Sequence, residues 1–267
     1  MLYLVTILSL EPNMNEVISI VTYTFNEEKN IQKLCTGIKI EMEKLNIEYE
    51  HIVIDNCSTD KTIPILKEIC FKDKKVKAII NAKNFGHLRS PFYGILQSKG
   101  DACILMASDF QDPLDLIPKY IQKWQNGAKI VLGKKISSDE PGIIFFIRSL
   151  FYKFMNKISE TKLTENTTGS GIFDKSVINQ LKNINDPYPY LRGLLSELSE
   201  EISIVEFNQP KRLSGITKNN IFTLYDIGML GIIKHSRAPL RLVTFLGFVL
   251  SFFSILTAFI YFIYKLV

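Results

Sequence analysis

An α/β fold, with a doubly wound and mostly parallel sheet tethered to a membrane, is what this 267-residue sequence predicts. Three observations lead there. From residue 17 onward, short β-branched or apolar runs alternate with stretches of helical periodicity. The fourth of these runs, 102–107 (ACILMA), ends in the acidic turn Ser108-Asp109-Phe110-Gln111-Asp112-Pro113. Open parallel sheets keep their ligand chemistry at the carboxyl ends of their strands. Residues 242–264 then form an uncharged run as long as one bilayer crossing.

Residues 17–23 (VISIVTY) are β-branched and read as the first strand. Ile31, Leu34, Ile38 and Met42 recur at helical spacing and mark the helix after it. Residues 49–55 (YEHIVID) form a second strand ending in Asp55-Asn56-Cys57-Ser58-Thr59-Asp60. Ser58 or Asp60 can cap the next helix, which Ile63, Leu66 and Ile69 mark. Residues 76–80 give the third strand. The stretch 81–89 (NAKNFGHLR) reads as a loop in which Gly86 permits close backbone approach. Asn84, His87 and Arg89 in it are residue types that contact phosphate or sugar. A helix over 91–99, the fourth strand, a helix over 114–124 opened by Pro113, and a fifth strand over 129–132 complete the alternation. No GxGxxG follows the first strand and no GxxxxGK[ST] occurs, which argues against dinucleotide and P-loop folds.

The acidic turn offers two carboxylates and an amide within four residues. That set suits a hard cation that shares its ligands with substrate phosphates. Equally, Asp112 can cap the following helix while Asp109 is a solvated loop acid. Net charge is +5, which suits phosphate-bearing ligands or an anionic membrane, and no nucleic-acid-binding motif is visible. Cys35, Cys57, Cys70 and Cys103 form no CxxC pair, and three of them fall in apolar patterns, pointing to a reducing compartment. The three histidines are too scattered for a histidine metal motif.

Past Gly142 the character changes. Residues 143–158 mix large aromatics with Arg148, Lys153 and Lys157; the stretch can be a core helix, but it fits a helix lying in the membrane interface better. Residues 167–174 return to strand and turn chemistry, 187–198 form a short helix carrying Arg192, and 202–207 form a late strand. The basic stretch 210–219 (PKRLSGITKN) is either a solvated loop or a phosphate clamp. Lys234, Arg237 and Arg241 precede the span and only Lys265 follows it, so the positive-inside rule keeps the large domain cytosolic. The expected organisation is an N-terminal extension (1–16), a catalytic domain (17–219) containing an interfacial helix (142–159), an amphipathic juxtamembrane helix (220–238) and a transmembrane helix (239–267).

Taken in order, DNCSTD, NAKNFGH, ILMASDFQDP, the RLSGITK loop and the terminal span resemble the family 2 glycosyltransferases of the GT-A fold. Within that family they look most like the polyprenyl-phosphate sugar transferases that include dolichol-phosphate mannose synthase. The resemblance implies a mixed GT-A sheet and an inverting transfer from a nucleotide sugar to a polyprenyl-phosphate lipid at the cytosolic face of the cell membrane. It implies Mg²⁺ or Mn²⁺ as cofactor. Asp55 matches the acid that contacts base or ribose, and Asn56, Asn84, Gly86, His87, Ser108 and Gln111 fall on the donor side. Asp109 matches the second acid of the DxD metal site, with Gln111 and Asp112 in its continuation. Arg212 and Lys218 match the basic loop that closes on the phosphates, and Arg192 joins them as an acceptor-phosphate contact. Two positions depart from the family: Ala107 stands where the first DxD acid would be, and Asn56 where a second acid is common. Two alternatives accompany this reading. One is transfer to a hydroxyl of a lipid-linked glycan, with Asp112 as base. The other is a non-catalytic protein that binds nucleotide sugars, which Ala107 favours.

Overall fold

A computed structural model of the chain describes residues 16–137, 167–184, 186–199, 201–210 and 221–266. The expected interfacial helix over 142–159, almost all of the 1–16 extension and the basic loop with Arg212 and Lys218 lie outside the described residues. The elements in chain order are β1 (Val17–Thr24), α1 (Ile31–Leu45), β2 (Glu48–Asp55), α2 (Thr62–Lys72), β3 (Val76–Ile80), α3 (Gly86–Gln97), β4 (Ala102–Ala107), α4 (Leu116–Gln125) and β5 (Ile130–Ser137). There follow β6 (Thr167–Asp174), α5 (Lys175–Ile184), α6 (Leu191–Leu198), β7 (Ser203–Asn208), α7 (Ile221–His235) and α8 (Ala238–Leu266).

The strands form one sheet in the order β3-β2-β1-β4-β6-β5-β7. The first four are mutually parallel, β6 runs antiparallel to both β4 and β5, and β7 is parallel to β5. Strand alternation feeds two cores. Ile18, Ile20, Ala102, Ile104 and Met106 face one layer with residues of α1, α2 and α4; Val21, Cys103 and Leu105 face the other with residues of α3, α5 and α6. Both faces being covered explains the near-continuous apolar strands. Each fully buried Ile or Leu contributes about 1.5–3 kcal/mol.

Two local readings need correction. Helix α3 starts at Gly86, five residues before the expected start, and Pro91 lies inside it. Side chains replace the missing partners of its first turn: Asn84 Oδ1 accepts the Gly86 N–H at 2.8 Å, and Asn56 Oδ1 accepts the Phe85 N–H at 2.8 Å. Helix α5, which buries Val177, Ile178 and Leu181, was not expected; its apolar face is only three residues wide.

The chain divides into two compact units, one holding the sheet and the other α7 and α8. In α8 no residue is buried, and Phe245, Phe248, Phe252, Phe259 and Phe262 are all exposed. This helix, 29 residues long, is long and apolar enough to cross a membrane. At about 1.5 Å per residue it exceeds the roughly 30 Å hydrocarbon core.

Candidate active site

From β1 the chain winds outward through β2 to β3, then crosses back to lay β4 on the other side of β1. The carboxyl edge between β1 and β4 is therefore a topological switch point, where open α/β sheets bind ligands. Register sets Thr24 beside Asp55 and Tyr23 beside Ala107, so the turns after β1, β2 and β4 meet there. Three non-glycine residues in these turns are left-handed: Asn26 (φ 57°), Cys57 (φ 68°) and Phe110 (φ 62°). Each costs about 1–2 kcal/mol. Long-range hydrogen bonds offset the strain. Ser58 Oγ accepts the Asn26 N–H at 2.8 Å, Asn26 Oδ1 accepts the Thr59 N–H at 2.8 Å, and Thr62 Oγ1 accepts the Glu27 N–H at 2.9 Å.

Asp55 closes β2 and is fully buried, with Oδ1 accepting the Ser58 N–H at 2.9 Å and Oδ2 accepting the Ser58 hydroxyl. Asn56 works as a brace. Its amide donates to Asn84 Oδ1 at 2.8 Å and to the Gly86 carbonyl at 3.3 Å, while its oxygen accepts from Asn81 at 3.2 Å and from the Phe85 N–H. An aspartate there could not donate to Asn84 or Gly86, which gives the departure from the family's second acid a physical reason. The structure thus joins Asp55, Asn56, Asn84 and Gly86 in one edge.

Beyond β4, Ser108 donates to the Tyr23 carbonyl at 2.9 Å, locking this turn to β1. Asp109 Oδ1 accepts the Gln111 N–H at 3.1 Å. Asp112 Oδ2 accepts the Ala107 N–H at 3.2 Å, so the acidic turn is closed by its own carboxylate rather than by a helix cap. Burial pushes the Asp112 carboxyl up to about 6, and neighbouring Asp109 pushes the same way against the Ala107 N–H, Lys135 and Ser170. The Ser170 hydroxyl also lies 3.3 Å from the Tyr120 hydroxyl. Among the described residues no group of three or more His, Cys, Asp or Glu side chains is placed to hold a metal.

His87, in the first turn of α3, and Arg192, in α6, are electrostatic neighbours. Partial desolvation and then the Arg192 guanidinium hold the His87 imidazole below its ordinary value. Two residues expected on the donor side and the acceptor side thus act on each other electrostatically. Arg89 stacks between Phe85 (5.2 Å) and Tyr188 (4.8 Å). Sequence reading passed over Thr24, Ser170 and Tyr120. Thr24 Oγ1 is buried beside Asp55 and has no hydrogen-bond partner among the described residues.

Acids gathered at the switch point of a mixed sheet are the arrangement of the GT-A class of transferases. Residues 19–182 match the model of glycosyl transferase family 2, and the chain belongs to that family. It is a glycosyltransferase. The chain is 33% identical over 235 residues to the prophage bactoprenol glucosyl transferase homolog of Escherichia coli (strain K12), covering 88% of this chain and 77% of that protein. It is 32% identical over 240 residues to the bactoprenol glucosyl transferase of Shigella phage SfV, covering 90% and 78%. Among solved structures, glucosyl-3-phosphoglycerate synthase from Mycobacterium tuberculosis, in complex with Mn²⁺, UDP-glucose and phosphoglyceric acid, shares the fold. Its TM-score is 0.56 at 16% identity, covering 81% of this chain and 77% of that one.

Proposed function

We propose that this transferase moves a sugar, glucose being the first to test, from a nucleoside-diphosphate sugar to the phosphate of a polyprenyl lipid on the cytosolic face of the cell membrane. The observation that carries the reading is one chain holding both a switch-point acidic turn and a 29-residue apolar helix with no buried residue. The names of the bactoprenol glucosyl transferases it resembles support the same acceptor class. Helix α8 serves as the anchor, and Lys234 and Arg237 before it, with Arg241 in its first turn, keep the transferase unit cytosolic.

In the proposed reaction an acceptor phosphate oxygen attacks the anomeric carbon as the bond to the leaving diphosphate breaks, with inversion. The acceptor is already anionic and needs no strong base. Asp55 holds the nucleoside, and the turn braced by Asn56, Asn84 and Gly86 shapes the donor side together with His87, Ser108 and Gln111. Arg192, with Arg212 and Lys218, meets the acceptor phosphate and the growing charge on the diphosphate. The Asp109 carboxylate and Gln111 carboxamide are hard oxygen donors that would hold Mg²⁺ or Mn²⁺ together with the donor's phosphates, since Ala107 adds no ligand. When bound, it supplies charge neutralisation on the leaving group. A second reading, transfer to a glycan hydroxyl with Asp112 as base, draws on the raised carboxyl of that residue.

The test is transfer of radiolabel from UDP-glucose and a panel of other nucleotide sugars, with Mn²⁺, into extracted polyprenyl phosphate by the detergent-solubilised full chain. Lipid-soluble label released by mild acid is the expected result. Acid-stable label in a lipid-linked glycan supports the hydroxyl reading, and no lipid label with any donor overturns the proposal.

A further inference from the structure

Strand β6 carries an irregularity next to the acidic turn. Its pairing with β5 passes from Leu132↔Gly171 to Lys134↔Thr167, so two steps along β5 match four along β6. Such bulges re-aim side chains and gather near active sites. Gly169, at its centre, has φ 85°, and a Cβ built there would meet Arg192 Nε at 3.7 Å. Ser170, next in the chain, turns its hydroxyl into the sheet toward Asp112 and Tyr120. Asp112, Ser170 and Tyr120 are all buried, at 5%, 4% and 0% exposure. A Cβ on Gly133 of β5 would collide with the Tyr120 hydroxyl, so the strand is cleared of side chain where that hydroxyl lies. Nothing in the motifs marks Ser170 or Tyr120.

We propose that Asp112, Ser170 and Tyr120 form a positioning brace. It holds the 107–109 turn, where donor phosphates bind, in register with the β6 bulge beside Arg192, and Asp112 acts through its hydrogen bonds rather than as a base. One Asp112 oxygen accepts the Ala107 N–H at 3.2 Å, and the nearby Ser170 hydroxyl, itself 3.3 Å from the Tyr120 hydroxyl, draws the carboxyl's pKa down against burial. A general base must instead reach the proton it removes. The brace rests on the transfer reaction proposed above for its catalytic consequence but not for its geometry.

The two parts are separated by measuring donor kcat and KM with UDP-glucose, and amide hydrogen exchange over 107–112, in the full-length protein. Asp112→Asn retains an acceptor for the Ala107 N–H and can donate to Ser170, so its kcat stays within about tenfold of the parent and its amides stay protected. Asp112→Ala loses at least about tenfold more activity, and exchange at 107–109 rises. Ser170→Ala and Tyr120→Phe remove single links, and each lowers kcat by about three- to tenfold with faster exchange of the same amides. Should Asp112→Ala fail to fold, Ser170→Ala decides. If Asp112→Asn is as inactive as Asp112→Ala, losing about 10²–10⁴ while its amides stay protected, Asp112 is a base and the brace is overturned. Unchanged kcat and exchange in Ser170→Ala overturn it too. A parent protein that transfers no sugar, yet shows the expected exchange pattern across the variants, defeats the transfer reading and leaves the brace standing.

Discussion

Strand β4 has acids at both ends, and the two ends treat them in opposite ways. Asp101, just before the strand, accepts the Val17 N–H at 3.1 Å and the Lys175 ammonium at 3.1 Å. The Val17 N–H, with help from Lys175, holds its carboxyl below the usual range. Asp174, beside the start of β4, is desolvated, but bonds from Ser176, Trp124 and Lys129 still bring it below its ordinary value. Glu50 follows the same pattern: burial raises it, while Lys77, Ser19 and the Lys99 N–H outweigh the burial. At the opposite end the balance reverses, and burial lifts Asp112 to about 6. Acids at the amino edge carry their own donors and tie the sheet to its neighbours. At the carboxyl edge the burial of Asp112 outweighs the Ala107 N–H, Lys135 and Ser170, and perturbed carboxyls of this kind cluster at functional sites.

The sharpest way to break this contrast is to remove one acid from each edge. Asp109→Ala should lower kcat by about 10²–10³ with an unchanged melting temperature, as loss of one preorganised charge contact does. Asp101→Ala should do the reverse, losing stability and keeping kcat; equal activity losses in the two variants would erase the distinction. Midway along β2, His51 is fully buried with Nε2 2.9 Å from Thr22 Oγ1, and burial lowers it from 6.5 to about 4. Because its folded pKa is the lower one, the unfolded chain binds a proton first as pH falls. Stability is therefore lost from pH 6.5 down to about 4, by up to about 3 kcal/mol. Urea midpoints against pH should be flatter over that window in His51→Gln than in the parent.

Gly100→Ala probes the amino edge alone. Its Cβ would meet the Val17 carbonyl oxygen at 2.5 Å and the Ser19 nitrogen at 2.7 Å, both backbone atoms that cannot swing away. Overpacking there should cost about 1–3 kcal/mol, read as a lower urea midpoint, with kcat per folded molecule kept. The smallest effect belongs to Asn56→Ala at the carboxyl edge, a rise of about tenfold in donor KM as the turn over 81–86 loses its brace. A change in stability with no change in KM would move Asn56 into the same class as Asp101.

Much of this was legible in advance where one residue's neighbours in sequence are also its neighbours in space. The parallel strands were readable because both their faces are buried, which makes them continuously apolar. Helix α3 was misread because Pro91 mimics a helix start, while the earlier start is held by Asn84 and by the distant Asn56 side chain. Asp112 allowed two readings from the sequence, cap or site acid. The fold chose a third arrangement, a carboxylate turned back onto its own strand end. Ser170 was invisible because a serine in a glycine-rich strand carries no signal until the bulge turns it toward Asp112.

The sequence by itself determined the order of the strands and of every described helix but α5, the placing of acids after β2 and β4, the family, and the apolar run of α8. These follow from periodicity, run length and short motifs, all local properties. Tertiary structure alone decided how far each acid's burial is offset, because a carboxylate's state depends on burial and on donors delivered from other strands. It also decided that Asn56 holds a turn, that the Arg192 charge acts on His87, and that the Ser170 hydroxyl offsets part of the burial of Asp112. Those contacts exist only once the sheet has set its register, and hydrogen bonds across it are fixed by geometry that no short stretch of chain contains.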